Sequence, residues 1–125
     1  KTNKPIKVRL MEQEVIAGVG NIYANDALWE AGIDPRRKSS SLTESESKLL
    51  KKMVVKVLEE GVFYGGATAM DGKYVDLEGV GGKYQEHFRA YQRINEKCLR
   101  KNCSGIISKI VLGGRGTFYC PECQK

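Results

Sequence analysis

The chain has 125 residues, of which 41% are hydrophobic and 29% are charged, and its formal net charge is +6. That length suits one compact domain, or a helical body with a small module attached. No apolar run approaches the roughly 18 residues that cross a bilayer, which excludes a membrane-spanning chain, and the modest positive charge is compatible with a polyanionic partner or with an ordinary solvated surface.

The first part of the chain predicts two helices. Residues 5–11 indicate a short helix or a turn-rich entry, with Ile6 and Leu10 one helical turn apart. Residues 22–31 indicate an amphipathic helix, and Gly32 follows as its C′ residue. The residues expected on the core side of this helix are Ile22, Ala24, Ala27, Leu28, Trp29 and Ala31.

The sequence Gly18-Val19-Gly20-Asn21 stands directly before the second predicted helix. Glycine lets the backbone turn sharply and approach a ligand, and the free N–H groups and dipole at a helix N-terminus favour an anion such as phosphate. Asn21 occupies the expected N-cap position. A plain tight turn with an asparagine cap would give the same pattern, so the pattern alone supports either interpretation.

A third helix and a long loop follow. Thr43 and Glu46 form a capping box that opens a helix over about residues 44–63, expected to be scaffold. Residues 67–83 carry turn signals and poor periodicity, which is typical of a functional or mobile loop. A short apolar link follows at residues 84–91, where His87 is expected at the surface or half-buried. The apolar stripe expected on the third helix is Leu50, Met53, Val54, Val57 and Leu58, with Leu49 at its border.

All the cysteines lie in the last 28 residues, as a C-x₄-C pair and a C-x₂-C pair: Cys98, Cys103, Cys120 and Cys123. Between the pairs, residues 106–112 predict a strand, Gly113-Gly114 a turn and residues 117–119 a returning strand. Two close pairs that flank a hairpin are typical of a zinc ribbon, in which four thiolates hold one structural zinc ion and leave no open position for catalysis. The alternative is two disulfides or four unrelated buried thiols. Residues 1–4 contain no apolar segment of a secretory signal, which favours zinc.

Five motifs in this order resemble one known family. The segment GVGNIYANDALWEAGIDP resembles the helix-two-turn-helix of the formamidopyrimidine-DNA glycosylases and their endonuclease VIII relatives. GGATAMD, GVGGKY and AYQR follow the family's internal motifs, and GGRGTFYCPECQK resembles its C-terminal zinc finger. The fold that the resemblance implies is mainly α, a helix-two-turn-helix body followed by a small zinc-ribbon β-hairpin. The expected domains are residues 1–93, including loop 67–83, and residues 94–125.

The resemblance also implies which residues contact DNA. Asn21, with the backbone of Gly20 and Ile22, would hold phosphates that flank a damaged nucleotide, and Arg115 at the hairpin turn would hold the same strand. Lys7 is expected to be a further phosphate contact. The loop from about Thr68 to Gly79 corresponds to one that senses the flipped base in some members, with Lys73 and Tyr74 as candidates.

The family's nucleophile is an N-terminal proline, helped by a glutamate, in an N-terminal β-sandwich domain. This chain begins with Lys1-Thr2, and Pro5 is internal, so we expect no catalytic residue here and no activity of the isolated chain. The expected function is therefore to grip damaged double-stranded DNA, as the C-terminal half of a base-excision repair glycosylase and abasic-site lyase that acts on oxidised purines (formamidopyrimidine and 8-oxoguanine). The resemblance further implies a monomer in the bacterial cytoplasm, associated with the nucleoid.

Two departures from the family pattern are present. The first cysteine pair is C-x₄-C where C-x₂-C is usual, and Gln92 stands where glycine is usual. The alternative function is a free-standing zinc-ribbon module that binds RNA, another nucleic acid or a protein, although it does not explain GG-x-T-x-x-D, G-x-x-G and the terminal CPECQK in this order. A third hypothesis is catalysis by another nucleophile, such as an internal lysine that forms a Schiff base.

Overall fold

The computed structural model describes residues 3–12, 20–63 and 87–125. These ranges contain three α-helices and one antiparallel hairpin, as the sequence predicts. The helices are α1 (Ile6–Met11), α2 (Gly20–Ala31) and α3 (Glu44–Phe63), with a single 3₁₀ turn at Ser39–Ser41 between the last two. The strands are β1 (Ser108–Leu112) and β2 (Arg115–Tyr119).

Helix α2 is the central element, and it packs against α1, α3 and β2. Every residue from Ile22 to Trp29 is buried, including Asn25 and Asp26. An amphipathic helix would keep its polar residues in water, so the expectation of an amphipathic α2 is wrong. The two polar residues are buried because other segments of the chain use them as hydrogen-bonding partners.

Helix α1 is held by the segment that follows α2. The N–H of Ile6 donates to the carbonyl of Arg37 at 2.5 Å, and the N–H of Lys7 donates to the carbonyl of Pro35 at 3.2 Å. First-turn N–H groups have no partner inside their own helix. These two bonds therefore satisfy the start of α1 and fix the backbone of Lys7 beside α2.

Helix α3 begins at the predicted capping box. The N–H of Thr43 donates to Glu46 Oε1 at 2.9 Å, and the N–H of Glu46 donates to Thr43 Oγ1 at 3.1 Å. Arg37 also pairs with the Glu46 carboxylate at 2.6 Å. This pairing lowers the pKa of Glu46 to about 2, chiefly through the hydrogen bond from Arg37. Of the predicted stripe, Leu50 and Val57 are buried, and Met53, Val54 and Leu58 pack at the edge of the core.

The two strands of the hairpin pair in a register that leaves a two-residue turn between them. Ser108 pairs with Tyr119 and Leu112 with Arg115, which leaves Gly113 and Gly114 as a two-residue loop. Their φ values are +59° and +76°. A loop with positive φ at both positions matches the twist of the flanking strands, and glycine adopts it without strain.

The hairpin lies along α2 with its tip toward the start of the helix. Near the tip, the N–H of Phe118 donates to Asn25 Oδ1 at 2.6 Å, and Asn25 Nδ2 approaches the carbonyl of Gly116 at 3.4 Å. At the other end, the Gln124 side chain accepts from the N–H of Cys120 at 2.8 Å and donates to the carbonyl of Ile33 at 3.0 Å. Buried amides therefore attach both ends of the ribbon to α2 and to the residue two positions after it.

Asp26 holds the segment that leads into the ribbon. Its carboxylate accepts from the backbone N–H groups of Arg89, Ala90 and Tyr91, at 3.2, 3.0 and 3.2 Å. Burial raises the pKa of this carboxyl above its ordinary value, although the three N–H donors oppose the change. Two consecutive side chains of α2 thus position two different segments of the chain.

Several predictions fall outside the described residues or stay untested. Loop 67–83 lies outside them, and so do Gly18, Val19, Lys73 and Tyr74. His87 is exposed, as expected. Gln92 adopts a φ of +60°, the left-handed conformation that favours the glycine expected there. No helix among the described residues is long and apolar enough to cross a membrane. The domain boundary at residue 93 stays a prediction.

Replacing Asn25 with alanine tests whether its amide fixes the hairpin on α2. The change leaves the buried N–H of Phe118 without its acceptor, so we expect Asn25→Ala to lower the free energy of unfolding by about 1–3 kcal/mol. Urea unfolding measures this loss, and amide hydrogen exchange at Phe118 should become faster. Lys52→Ala, on the exposed side of α3, is the control and should change stability little. A loss no larger in Asn25→Ala than in the control would contradict this role.

Candidate nucleic-acid interface and metal centre

The hairpin tip and the start of α2 meet at Asn21. Asn21 Nδ2 donates to the carbonyl of Gly116 at 3.1 Å, and Lys7 Nζ donates to Asn21 Oδ1. Arg115 immediately precedes Gly116 and is exposed. The structure thus brings together three predicted site residues that are far apart in sequence, Lys7, Asn21 and Arg115.

Asn21 does not have the position predicted for it. Helix α2 includes Gly20 and Asn21, so Asn21 lies within the first turn and its side chain joins α1 to the hairpin. Gly20 and Ile22, the other two predicted contacts, are buried residues of the same turn. First-turn N–H groups are the natural anion-binding groups of a helix, and the helix dipole reinforces them.

Lys7 is a buried cation. Its side chain is fully shielded from solvent, and its pKa is lowered to about 8, first by this burial and then by the positive charge of Arg115. The sequence predicted Lys7 as a phosphate contact but gave no sign of its burial. Two cations that repel each other beside a helix N-terminus form a site whose electrostatic energy falls when an anion enters.

Tyr91 is a member of this cluster that the sequence analysis did not single out. It is buried, and its hydroxyl hydrogen-bonds with Asn21. Burial raises the pKa of the hydroxyl, against the effects of Asn21 and Arg115. The backbone of Tyr91 is held by Asp26. Tyr91 belongs to the family motif AYQR, but the hydrophobic pattern of the sequence predicted only an apolar link at residues 84–91.

The four cysteine sulfurs form one cluster in which every pair lies within 4.8 Å. The Sγ atoms of Cys98 and Cys123 are 3.7 Å apart, as are those of Cys103 and Cys120. A disulfide needs about 2.05 Å, whereas four sulfurs at about 2.3 Å from one tetrahedral zinc ion lie about 3.8 Å from each other. The residues therefore fit zinc and not disulfides, and a closed set of four thiolates makes the site structural.

The comparisons with protein families agree with both parts of this geometry. Residues 1–72 match the formamidopyrimidine-DNA glycosylase H2TH domain. Residues 95–125 match the zinc finger found in FPG and IleRS. The first match includes Lys7 and Asn21, and the second includes Arg115 and all four cysteines.

Curated relatives and solved structures give the same result. The formamidopyrimidine-DNA glycosylases of Neisseria meningitidis serogroup A and Cytobacillus firmus are 43% and 44% identical over 98% and 99% of this chain. The Lactococcus lactis enzyme, solved in complex with DNA containing an abasic site, superposes over 100% of the chain with a TM-score of 0.83 and 37% identity. The MutM (Fpg) protein from Thermus thermophilus superposes over 98% with a TM-score of 0.86 and 39% identity.

The chain spans 43% and 44% of the length of the two curated relatives, and 43% and 46% of the two solved chains. The structure describes Cys98, Cys103, Cys120 and Cys123 in the geometry of one structural zinc site, and the zinc-finger match covers all of them. By its sequence over residues 1–72 and by its fold, the chain belongs to the formamidopyrimidine-DNA glycosylase family.

Proposed function

We propose that this chain is the DNA-gripping half of a base-excision repair glycosylase. The observation that supports it most directly is the convergence of Lys7, Asn21 and Arg115, carried by three separate elements, on the N-terminal turn of α2. In this proposal Lys7, Asn21 and Arg115 bind phosphates of one DNA strand, together with the backbone N–H groups of Gly20 and Ile22.

The chemistry of the proposed site suits phosphate and not base recognition. Arg115 offers a planar fork of donors that fits phosphate oxygens, and helix N–H groups donate to the same kind of acceptor. Phosphate contacts position a protein on DNA without reading sequence. An enzyme that acts on a base must take it out of the stack, and a strand held on both sides of the lesion favours that extrusion.

The proposed grip serves the removal of oxidised purines, formamidopyrimidine and 8-oxoguanine, followed by cleavage at the abasic site. Among the residues that form the proposed grip, Lys7 alone has an amine; its Nζ donates a hydrogen bond to Asn21, and the proposal uses it as a cation. We assign it no nucleophilic role. The chain would act in the bacterial cytoplasm at the nucleoid, as a monomer, and Lys73 and Tyr74 stay candidates for contacts with the flipped base.

A binding competition separates this proposal from an RNA-binding zinc ribbon. The chain should prefer a DNA duplex containing a tetrahydrofuran abasic analogue over an RNA duplex of the same sequence, and its affinity should fall steeply as salt rises. Equal or tighter binding to RNA would contradict the proposal. In the same series, borohydride should trap no covalent adduct with natural abasic DNA, and a trapped adduct would show that this chain carries a nucleophile after all.

Replacing Arg115 with alanine tests the contact at the hairpin tip. Loss of a charge-assisted hydrogen bond costs about 1.5–3 kcal/mol, so the affinity for abasic duplex should fall about 10- to 100-fold. The slope of log affinity against log salt should also fall by about 1, because one phosphate contact is lost. Lys101→Ala removes the same charge between Cys98 and Cys103, at the opposite end of the ribbon from the hairpin tip, and should have little effect. Equal losses in both variants would show a general charge effect instead of a specific contact.

The pH dependence of DNA binding tests Lys7. Its pKa of about 8 in the free chain means that raising the pH to 9 removes most of its charge, whereas a bound phosphate favours the charged form. Affinity should therefore fall as pH rises from 7 to 9, by up to about tenfold. Lys7→Met keeps a similar volume without a titrating group and should bind more weakly with a flat profile. A flat profile in the unmodified chain would contradict the assignment.

Folding has the opposite dependence on this group. Unfolded Lys7 titrates near its ordinary value of 10.5, so between about 8 and 10.5 the unfolded chain binds more protons than the folded one. The unfavourable contribution of Lys7 to stability is thus fully present at neutral pH and fades as the pH rises. A decrease in DNA affinity above pH 8 therefore cannot be attributed to unfolding caused by Lys7.

A further inference from the structure

An arginine between the first two cysteines contacts the metal site. Arg100 lies between Cys98 and Cys103, and its Nε donates to the sulfur of Cys123, a ligand from the other pair, at 3.3 Å. Its Nη2 donates to the carbonyl of Trp29. The guanidinium carbon lies 4.3 Å from the centroid of the Trp29 ring. The four residues inside this pair therefore place a cation against a sulfur of the opposite pair.

Trp29 makes a matching contact on the other side. Its indole Nε1 donates to the sulfur of Cys98 at 3.2 Å. Trp29 is buried in the last turn of α2, so its position is set by the core of the helical body. One sulfur from each cysteine pair thus accepts a hydrogen bond from a side-chain nitrogen, and the two donor side chains, those of Trp29 and Arg100, are stacked on each other.

The charge of the site gives these contacts a role. Four thiolates and one Zn²⁺ together carry two negative charges, and a partly buried charge is costly unless it is paired. The guanidinium of Arg100 compensates part of this charge. A hydrogen bond to a thiolate also withdraws electron density from the sulfur and orients its lone pairs, as outer contacts do at metal sites generally.

We propose that Arg100 and Trp29 are positioning residues of the zinc site, which hold Cys123 and Cys98 in ligating geometry and attach the site to the end of α2. The metal site is then attached directly to α2, the helix whose N-terminal turn carries the proposed DNA grip. Arg100 stands two residues after Cys98 and three before Cys103, and its side chain reaches across the site to Cys123. This inference rests on the sulfur geometry and does not depend on the proposed DNA-binding function.

A merely structural role is the competing explanation. Arg100 contacts a carbonyl in the last turn of α2, where a cation interacts favourably with the helix dipole whether or not metal is bound. Because metal binding is coupled to folding, that role lowers zinc affinity only as far as it lowers the stability of the fold, and it leaves the spectrum of a bound metal unchanged. Zinc transfer therefore tests whether Arg100 affects the site at all, and the spectrum of a bound metal separates the two explanations.

Zinc transfer to an excess of the chromogenic chelator 4-(2-pyridylazo)resorcinol is the first test, with the full chain at fixed pH. We expect Arg100→Met to lower zinc affinity about 10- to 100-fold, with faster release, as loss of an outer contact does elsewhere. Arg100→Lys keeps the charge but not the planar fork, and it should fall between Arg100→Met and the parent chain. Lys101→Met, the neighbouring exposed change, should behave like the parent. Parent-like zinc release by Arg100→Met would overturn the proposal.

The absorption spectrum of the cobalt-substituted chain provides a second test, because its bands do not depend on the global stability of the fold. Trp29→Phe keeps an aromatic ring beside Arg100 but removes the N–H that contacts Cys98, so the sulfur-to-cobalt charge-transfer bands should shift relative to the parent. Arg100→Lys should shift them as well. If both variants bind cobalt with the spectrum of the parent, the two side chains do not act on the ligand sulfurs and the proposal fails, even where their circular dichroism shows reduced stability.

Discussion

The attachment of the ribbon to α2 is the constraint on which the rest of the structure depends. A hairpin of two five-residue strands has too little apolar surface to hold an orientation on its own. Its orientation is fixed instead by buried hydrogen bonds with Asn25 near the tip and with Gln124 near the cysteines. Because both contacts involve buried backbone groups, a shift of the hairpin along α2 would leave polar groups unpaired, and the orientation is therefore specific.

This attachment explains how the proposed grip can be built from distant parts of the sequence. Lys7 comes from α1, Asn21 from α2 and Arg115 from the hairpin. Helix α1 is held by the carbonyls of Pro35 and Arg37, and the hairpin is held by Asn25 and Gln124. The cluster keeps Lys7 buried, next to the positive charge of Arg115. Such an arrangement is unfavourable in the free protein, and an entering phosphate would relieve the repulsion.

Much of this organisation was predictable from the sequence, where the signals were local. The capping box of Thr43 and Glu46 sets the start of α3, the two glycines set the hairpin register, and the cysteine spacing sets the metal site. The failures concern long-range contacts. An asparagine before a helical pattern predicts an N-cap, and nothing local reveals that Asn21 bonds to a carbonyl 95 residues away. The burial of Asp26 and the contact of Arg100 with a sulfur also depend on tertiary structure.

A double-mutant cycle between Asn21 and Arg115 tests the central claim most directly. The affinities of the parent chain, Asn21→Ala, Arg115→Ala and the double variant are measured on one abasic-analogue duplex at one salt concentration. If the helix start and the hairpin tip hold the same stretch of backbone, the losses should be non-additive by about 0.5–3 kcal/mol, the range found for contacting residues. Losses that add within about 0.5 kcal/mol would show two independent sites and contradict the account.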